Sequence, residues 1–134
     1  MTSGVVIKPE DVYNRLAQLN YSVVPEDEAT VEYLIEKISN EIKLDTNNPE
    51  VPEELLQMTI DMICGEFLQS KYALGQLTNF DFSGSVKKIT EGDTTVEYAY
   101  GSGSKTPEER FLAFIKTLRT PDKSQITAKR RLRW

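Results

Sequence analysis

The chain of 134 residues has no histidine and only one cysteine. Without histidine it lacks the commonest general base, the Ser-His and Cys-His catalytic pairs, and a frequent ligand of zinc and iron. A single cysteine excludes an internal disulfide, and the apolar neighbours of Cys64 favour a buried, unreactive thiol. The sequence also lacks a Walker loop, a GxGxxG turn and a calcium-binding loop. We therefore expect that the protein is not an enzyme and binds neither a cofactor nor a metal.

Long hydrophobic runs are also missing. No stretch approaches the roughly 20 apolar residues that span a bilayer, and the first seven residues lack the features of a signal peptide. We therefore expect no membrane segment and cytosol-like surroundings. The length suits one domain. Hydrophobic residues make up 39% and charged residues 28%, and this composition favours slender helices with much exposed surface. Self-association could cover some of that surface.

The charges that are present are unevenly distributed. Residues 123–134 contain five basic residues and no acidic one. Because the whole chain has a net charge of −5, the preceding residues 1–122 have a net charge of −10. The only tryptophan is in the same segment, and Trp and Arg are the side chains that most often anchor interfaces. We predict a domain over 1–122 and an extended basic docking tail over 123–134, with a solvated end that only aids solubility as the alternative. The predicted docking residues are Lys129, Arg130, Arg131, Leu132, Arg133 and Trp134.

Four prolines, each followed by two acidic residues, predict the starts of helices. Proline suits the first helical position, and the acids complement the positive end of the helix dipole. The apolar spacing then predicts helices over about 9–20, 25–44, 52–74 and 107–118. Thr106 and Glu109 have the spacing of a capping box at the fourth start. The third helix is apolar around much of its circumference and should form the centre of the core.

Between the third and fourth helices the pattern favours strands. β-branched and aromatic residues over 85–90 and 94–100 flank a turn at Gly92 and Asp93, which predicts an inserted hairpin over about 85–100. Because an isolated hairpin is marginally stable, it should fold back on the helices or pair with another subunit. The predicted subunit or next-ring contacts are Val86, Ile89, Val96, Tyr98 and Tyr100. The predicted fold class is mainly α, a small bundle of about four helices with this hairpin and an extended C-terminal tail.

Four stretches, taken in order, make the chain similar to a known family. They are Val12-Tyr13-Asn14-Arg15-Leu16 with Pro25-Glu26-Asp27; Gly65-Glu66-Phe67-Leu68 with Lys71 and Gly75; Glu91-Gly92-Asp93-Thr94-Thr95-Val96; and Arg130-Arg131-Leu132-Arg133-Trp134. None is a catalytic signature. Together they resemble the head–tail connector family of tailed phages, also called adaptor or head-completion proteins, and the resemblance covers most of the chain.

The resemblance implies a structural protein of the virion neck that is made in the host cytoplasm. Such proteins form rings of about twelve copies beneath the portal. The ring extends the DNA channel, through which DNA passes without sequence-specific binding. In this family the C-terminal segment reaches into the portal, which would make 129–134 the portal-docking peptide. The far side of the ring would receive a stopper or tail-completion protein.

Two other functions are compatible with the sequence. A stopper or tail-completion protein of the same neck would differ mainly in which ring it contacts. A small nucleic-acid-binding module could use the basic arm over 129–133 to contact phosphates. The helices that would have to read bases begin with acidic residues, which repel DNA and disfavour this second alternative.

Overall fold

The computed structural model describes residues 4–77, 80–92 and 106–130. These residues form a mainly α-helical bundle, which confirms the predicted fold class. The helices are α1 (Pro9–Gln18), α2 (Glu28–Thr46), α3 (Leu56–Ala73), α4 (Phe82–Gly92), α5 (Pro107–Arg119) and α6 (Lys123–Ala128). A short strand β1 (Gly4–Val5) pairs antiparallel with β2 (Val51–Pro52).

Helix α3 lies at the centre of the bundle, as its apolar sequence predicted. It packs against α1, α2 and α5, while α4 packs on α5 and α6 packs on α2. Ile63, Cys64, Phe67 and Leu68 of α3 are fully buried. The core therefore forms around α3, with α2 and α5 as its largest neighbours.

The prolines mark the helix starts with different accuracy. Pro9 and Pro107 occupy the first helical positions, and the Thr106 hydroxyl accepts a hydrogen bond from the Glu109 backbone N–H at 3.2 Å. The predicted N-cap of α5 is therefore present. Pro25 begins a 3₁₀ turn before α2, whereas Pro52 belongs to β2 and a 3₁₀ turn follows it before α3. Helices α2 and α3 thus begin later than predicted.

The prediction of a strand over 85–90 is wrong, because these residues lie in helix α4. The Asp81 carboxylate accepts a hydrogen bond from the Gly84 backbone N–H at 2.9 Å, which stabilises the start of the helix. Ser85, Val86 and Ile89 are buried and recur at helical spacing. Packing against α5 therefore outweighs the β propensity of this segment. The predicted second strand, 94–100, lies outside the described residues.

Side chains of α4 also reach the end of α1. The Ser85 hydroxyl donates to the Leu19 carbonyl at 2.7 Å, and the Lys88 ammonium donates to the Ala17 carbonyl at 2.8 Å. Both acceptors lie at or just after the last turn of α1, where helical hydrogen bonding is incomplete. Two segments that are distant in the sequence are thereby joined.

A cluster of aromatic rings connects α3, α5, the start of α4 and the segments that precede α2 and α4. Neighbouring ring centroids are 5.0 to 6.3 Å apart, mostly in edge-to-face or tilted arrangements. Such pairs contribute about 0.5–1.5 kcal/mol each beyond the area that they bury. The rings belong to Tyr21, Phe67, Tyr72, Phe80, Phe82 and Phe111.

The prediction that the chain is extended from residue 123 is wrong for 123–128, which form α6. Asp122 is its N-cap, and its carboxylate accepts hydrogen bonds from the backbone N–H groups of Ser124 and Gln125. Ile126 is buried, and the helix packs on α2. Half of the predicted tail is therefore part of the folded domain.

Candidate functional site

The candidate site begins at the C-terminal end of α6, where two of the predicted docking residues are described. The Lys129 backbone carbonyl accepts a hydrogen bond from the Asn48 side-chain amide at 2.9 Å. The Lys129 ammonium lies 3.5 Å from the Glu54 carboxylate, and Arg130 is exposed. The other four predicted docking residues, 131–134, lie outside the described residues.

Asn48 is placed for this contact by the end of α2. Asn47 has a left-handed backbone with φ of 53°, a conformation that Asn adopts more readily than most residues. The chain turns there, and the Asn48 amide reaches both the Thr46 carbonyl at 3.2 Å and the Lys129 carbonyl. No role of Asn48 was predicted from the sequence. The signal in the sequence was the pair of asparagines after a helix. This pair predicts a turn, but it does not predict that Asn48 contacts Lys129.

Positive charge extends from the docking residues over α6 and the later part of α5. Helix α5 begins with Glu108 and Glu109, but from Arg110 to Arg130 the chain has six basic residues and one acidic residue. Lys116 and Lys123 are exposed, whereas Arg119 pairs with Glu66 of α3 at 2.9 Å. The C-terminal part of the bundle is therefore a cationic surface, and it joins the segment that was predicted to dock.

Two residues that were predicted as subunit contacts in a hairpin lie instead in the core of the bundle. Val86 and Ile89 of α4 are 9% and 4% exposed, within the core of their own chain. They are therefore covered by the bundle and cannot form the exposed subunit contact that the hairpin model required. The remaining predicted contacts, Val96, Tyr98 and Tyr100, lie outside the described residues.

A buried charged cluster joins the start of α2 to the end of α3. Asp27 is 1% exposed, and its carboxylate lies 2.6 Å from the Lys71 ammonium. Its other oxygen accepts hydrogen bonds from the Tyr21 hydroxyl at 2.7 Å and from the Val24 backbone N–H at 3.2 Å. The Lys71 ammonium also lies 5.6 Å from the centre of the Phe67 ring.

These contacts determine the protonation of the cluster. Burial alone raises the pKa of Asp27, but the hydrogen bonds from Lys71, Tyr21 and Val24 outweigh it and hold that pKa below its ordinary value. Burial, followed by the hydrogen bond to Asp27, raises the pKa of Tyr21. The carboxylate is thus ionised and the phenol neutral at pH 7. The ion pair of Asp27 and Lys71 thus joins the start of α2 to the end of α3.

The thiol of Cys64 should be chemically inert in the folded protein. Its sulfur is fully buried and lies 3.8 Å from the Val12 carbonyl, and burial raises its pKa to about 12. Because the thiolate is the reactive form, we expect an aromatic disulfide reagent to leave the native chain unmodified during the time in which it fully modifies the chain in denaturant. The released thiolate absorbance measures this, and rapid modification of the native chain would contradict it.

Neither a metal cluster nor a membrane span is found in the part of the chain that the structure describes. No group of three or more Cys, Asp or Glu side chains there could hold a metal ion. None of its helices is both long and apolar enough to cross a bilayer. No protein-family model matches the chain, and neither a curated protein nor a solved structure matches it significantly.

Proposed function

We propose that this chain is a head–tail connector, or adaptor, protein of a tailed phage. In this proposal copies of the chain form a ring beneath the portal, the segment 129–134 binds the portal, and the far side receives a stopper or tail-completion protein. The observation that carries the proposal is the anchoring of Lys129, the first residue of the cationic segment, on an acidic helical domain.

Anchoring at Lys129 makes docking by a short segment energetically reasonable. Residues 123–128 already form a helix of the folded domain, so binding does not have to order them. This removes about 6–12 kcal/mol, at 1–2 kcal/mol per residue, from the cost of ordering a twelve-residue tail. Burying roughly 200 Å² of the Trp134 side chain contributes about 5 kcal/mol. Charge pairs with acidic portal groups and the linkage of neighbouring copies in a ring supply the remainder.

The acidic body suits a channel through which DNA moves. Each Lys or Arg that contacts phosphate adds salt-dependent affinity, whereas carboxylates repel the phosphates. Residues 1–122 carry a net charge of −10. A lumen formed by such surfaces would let DNA pass without sequence-specific binding, which is the behaviour that the proposal requires.

The decisive experiment compares portal binding by the full chain and by a chain that ends at Arg130. This truncation keeps every described contact of Lys129 and leaves Ile126 in the core, so the domain should remain folded. The truncated chain should bind the portal protein encoded beside this chain about a hundredfold more weakly than the full chain, or weaker still. The reason is that the truncation removes Trp134 and two arginines. Isothermal titration measures the affinity, and thermal unfolding checks the fold.

A matched control removes the same amount of charge elsewhere. The variant Lys8→Gln/Lys87→Gln lacks two exposed positive charges outside the docking segment and should bind the portal like the full chain. Equal portal affinity of the full and truncated chains would contradict the proposal. Loss of duplex DNA binding with no portal binding by either chain would instead favour the nucleic-acid-binding alternative.

A further inference from the structure

The outward face of α2 is exposed and carries two large apolar side chains. Tyr33 is 63% exposed and Leu44 is 80% exposed. They are eleven residues apart, about three helical turns, and therefore lie on the same side of α2. The core-facing side is formed by Val31, Leu34, Ile38 and Ile42, which are buried. This outward surface, which we call the α2 face, has a composition that suits a contact with another molecule.

Acidic side chains flank the α2 face. Glu32, Glu36, Glu41 and Asp45 are all exposed, and Lys37 is the one fully exposed basic residue of the helix. An exposed tyrosine ring beside carboxylates is a good binding surface for Lys and Arg, because the ring attracts the cation and the carboxylates pair with it. Leu44 lies about 16 Å further along the helix, and a second Lys or Arg side chain can cover it with its aliphatic stem. The α2 face therefore fits a cationic partner.

A surface with these properties occurs on the same chain. Lys116 at the end of α5 and Lys123 at the start of α6 are exposed, in the segment with six basic residues and one acidic residue. Helices α2 and α5 both pack on α3 without packing substantially on each other. The two surfaces are therefore formed by different helices and are unlike each other, although α6 also packs on α2 within its own chain. An interface between unlike surfaces of identical copies is heterologous, and it forms a ring if the rotation closes.

We propose that the α2 face of one copy binds the Lys116 and Lys123 surface of the next copy. This inference rests on the proposed function, because it assigns the contact between neighbouring subunits of the ring. The packing of α6 on α2 within one chain leaves Tyr33, Leu44 and Lys123 exposed, so it does not occupy these surfaces. Ring assembly then depends on charges that belong to the folded domain, whereas portal docking depends on the segment beyond it.

Complementary charge reversal tests the contact. The first variant is Glu32→Lys/Glu36→Lys, and the second is Lys116→Glu/Lys123→Glu. Each alone places like charges at every interface and should self-associate at least about tenfold more weakly than the natural chain at low salt. An equimolar mixture pairs the reversed surfaces with each other and should regain the association. Sedimentation equilibrium up to about 1 mM protein measures all three samples.

A control variant carries the same change in charge outside the contact. Glu26→Lys/Glu50→Lys reverses two exposed acids that do not belong to α2 and should associate like the natural chain or more strongly. The proposal is overturned if the natural chain remains monomeric at about 1 mM, if either reversed variant associates normally, or if the mixture fails to recover. Circular dichroism confirms that each variant is folded.

Portal binding separates this inference from the proposed function. If each charge-reversed variant binds the portal but self-associates as strongly as the natural chain, the α2 contact is wrong and the connector function stands. If charge reversal acts as expected and the full chain does not bind the portal, the contact stands and the connector function is wrong. The two outcomes rest on different residues and different measurements.

Discussion

Replacing Asp27 with alanine should lower the free energy of unfolding by about 3 kcal/mol. The substitution leaves the Lys71 ammonium, whose side chain is 20% exposed, without its carboxylate partner. It also removes the acceptor of the Tyr21 hydroxyl and of the Val24 backbone N–H. Because Lys71 retains some contact with water, the loss should lie at the lower end of the range for buried ion pairs. Urea unfolding at pH 7, followed by circular dichroism, measures it.

Two controls separate the buried charge from other effects of the substitution. Glu26→Ala removes the exposed acid that precedes Asp27 in the sequence and should change the free energy of unfolding by less than about 0.5 kcal/mol. Asp27→Asn keeps an oxygen acceptor for Tyr21 but loses the charge, so its effect should fall between those of the other two variants. Equal stability of the Asp27→Ala chain and the natural chain would contradict the structural role of the cluster.

The contribution of Asp27 should also depend on pH. The pKa of this carboxyl is lower in the folded chain than in the unfolded chain, so its stabilising effect is present above the unfolded pKa of about 3.9. It is lost as the pH falls through the folded value. The difference in stability between the natural chain and Asp27→Asn should therefore be constant near neutrality and shrink below about pH 4. A difference that grows in acid would reverse this assignment.

Replacing Gly65 with valine should destabilise the protein by about 3 kcal/mol, because α3 and α5 approach each other at this glycine. A Cβ atom at Gly65 would lie 2.8 Å from Arg119 Cγ, 3.0 Å from Leu118 Cβ and 3.1 Å from the Arg119 backbone nitrogen. The side chain of Arg119 can move, but the backbone nitrogen and the Cβ atom of Leu118 move only with α5. Thermal and urea unfolding would report the loss.

A valine elsewhere in the same helix provides the matched control. Gln57 is exposed, so Gln57→Val should cost no more than the difference in helix propensity, under about 0.7 kcal/mol. The smaller change Gly65→Ala should destabilise less than Gly65→Val and should be partly relieved by Arg119→Ala, which removes the closest atom. A Gly65→Val chain as stable as the Gln57→Val chain would show that the helices can separate without cost.

The parts of the fold that the sequence predicted correctly are those with local causes. The apolar stripe of α2 and the apolar character of α3 depend on residues three to four apart, and the Thr106 cap depends on Glu109 three residues later. In each case the required partners are neighbours in the chain, so periodicity and capping chemistry suffice. Proline marks the start of α1 and α5 for the same reason.

The errors occurred where distant residues decide the conformation. Residues 85–90 contain β-branched residues, but packing on α5 and the hydrogen bond from Ser85 to Leu19 favour a helix. The signal for α4 was Asp81 followed by Phe82, Val86 and Ile89 at helical spacing. Similarly, Asp122 was a recognisable N-cap for α6, but only the three-dimensional structure reveals that Asn48 meets the Lys129 carbonyl. Contacts across 66 or 81 residues leave no local pattern in the sequence.

The hydrogen bonds from α4 to the end of α1 have a consequence for how the native state opens. If α4 detaches, the Leu19 and Ala17 carbonyls lose the Ser85 and Lys88 donors, so the last turn of α1 is free to fray. The two helices should consequently exchange their amide hydrogens as one cooperative unit, although more than sixty residues separate them in the chain. Helix α3, enclosed on several sides, should exchange only through global unfolding.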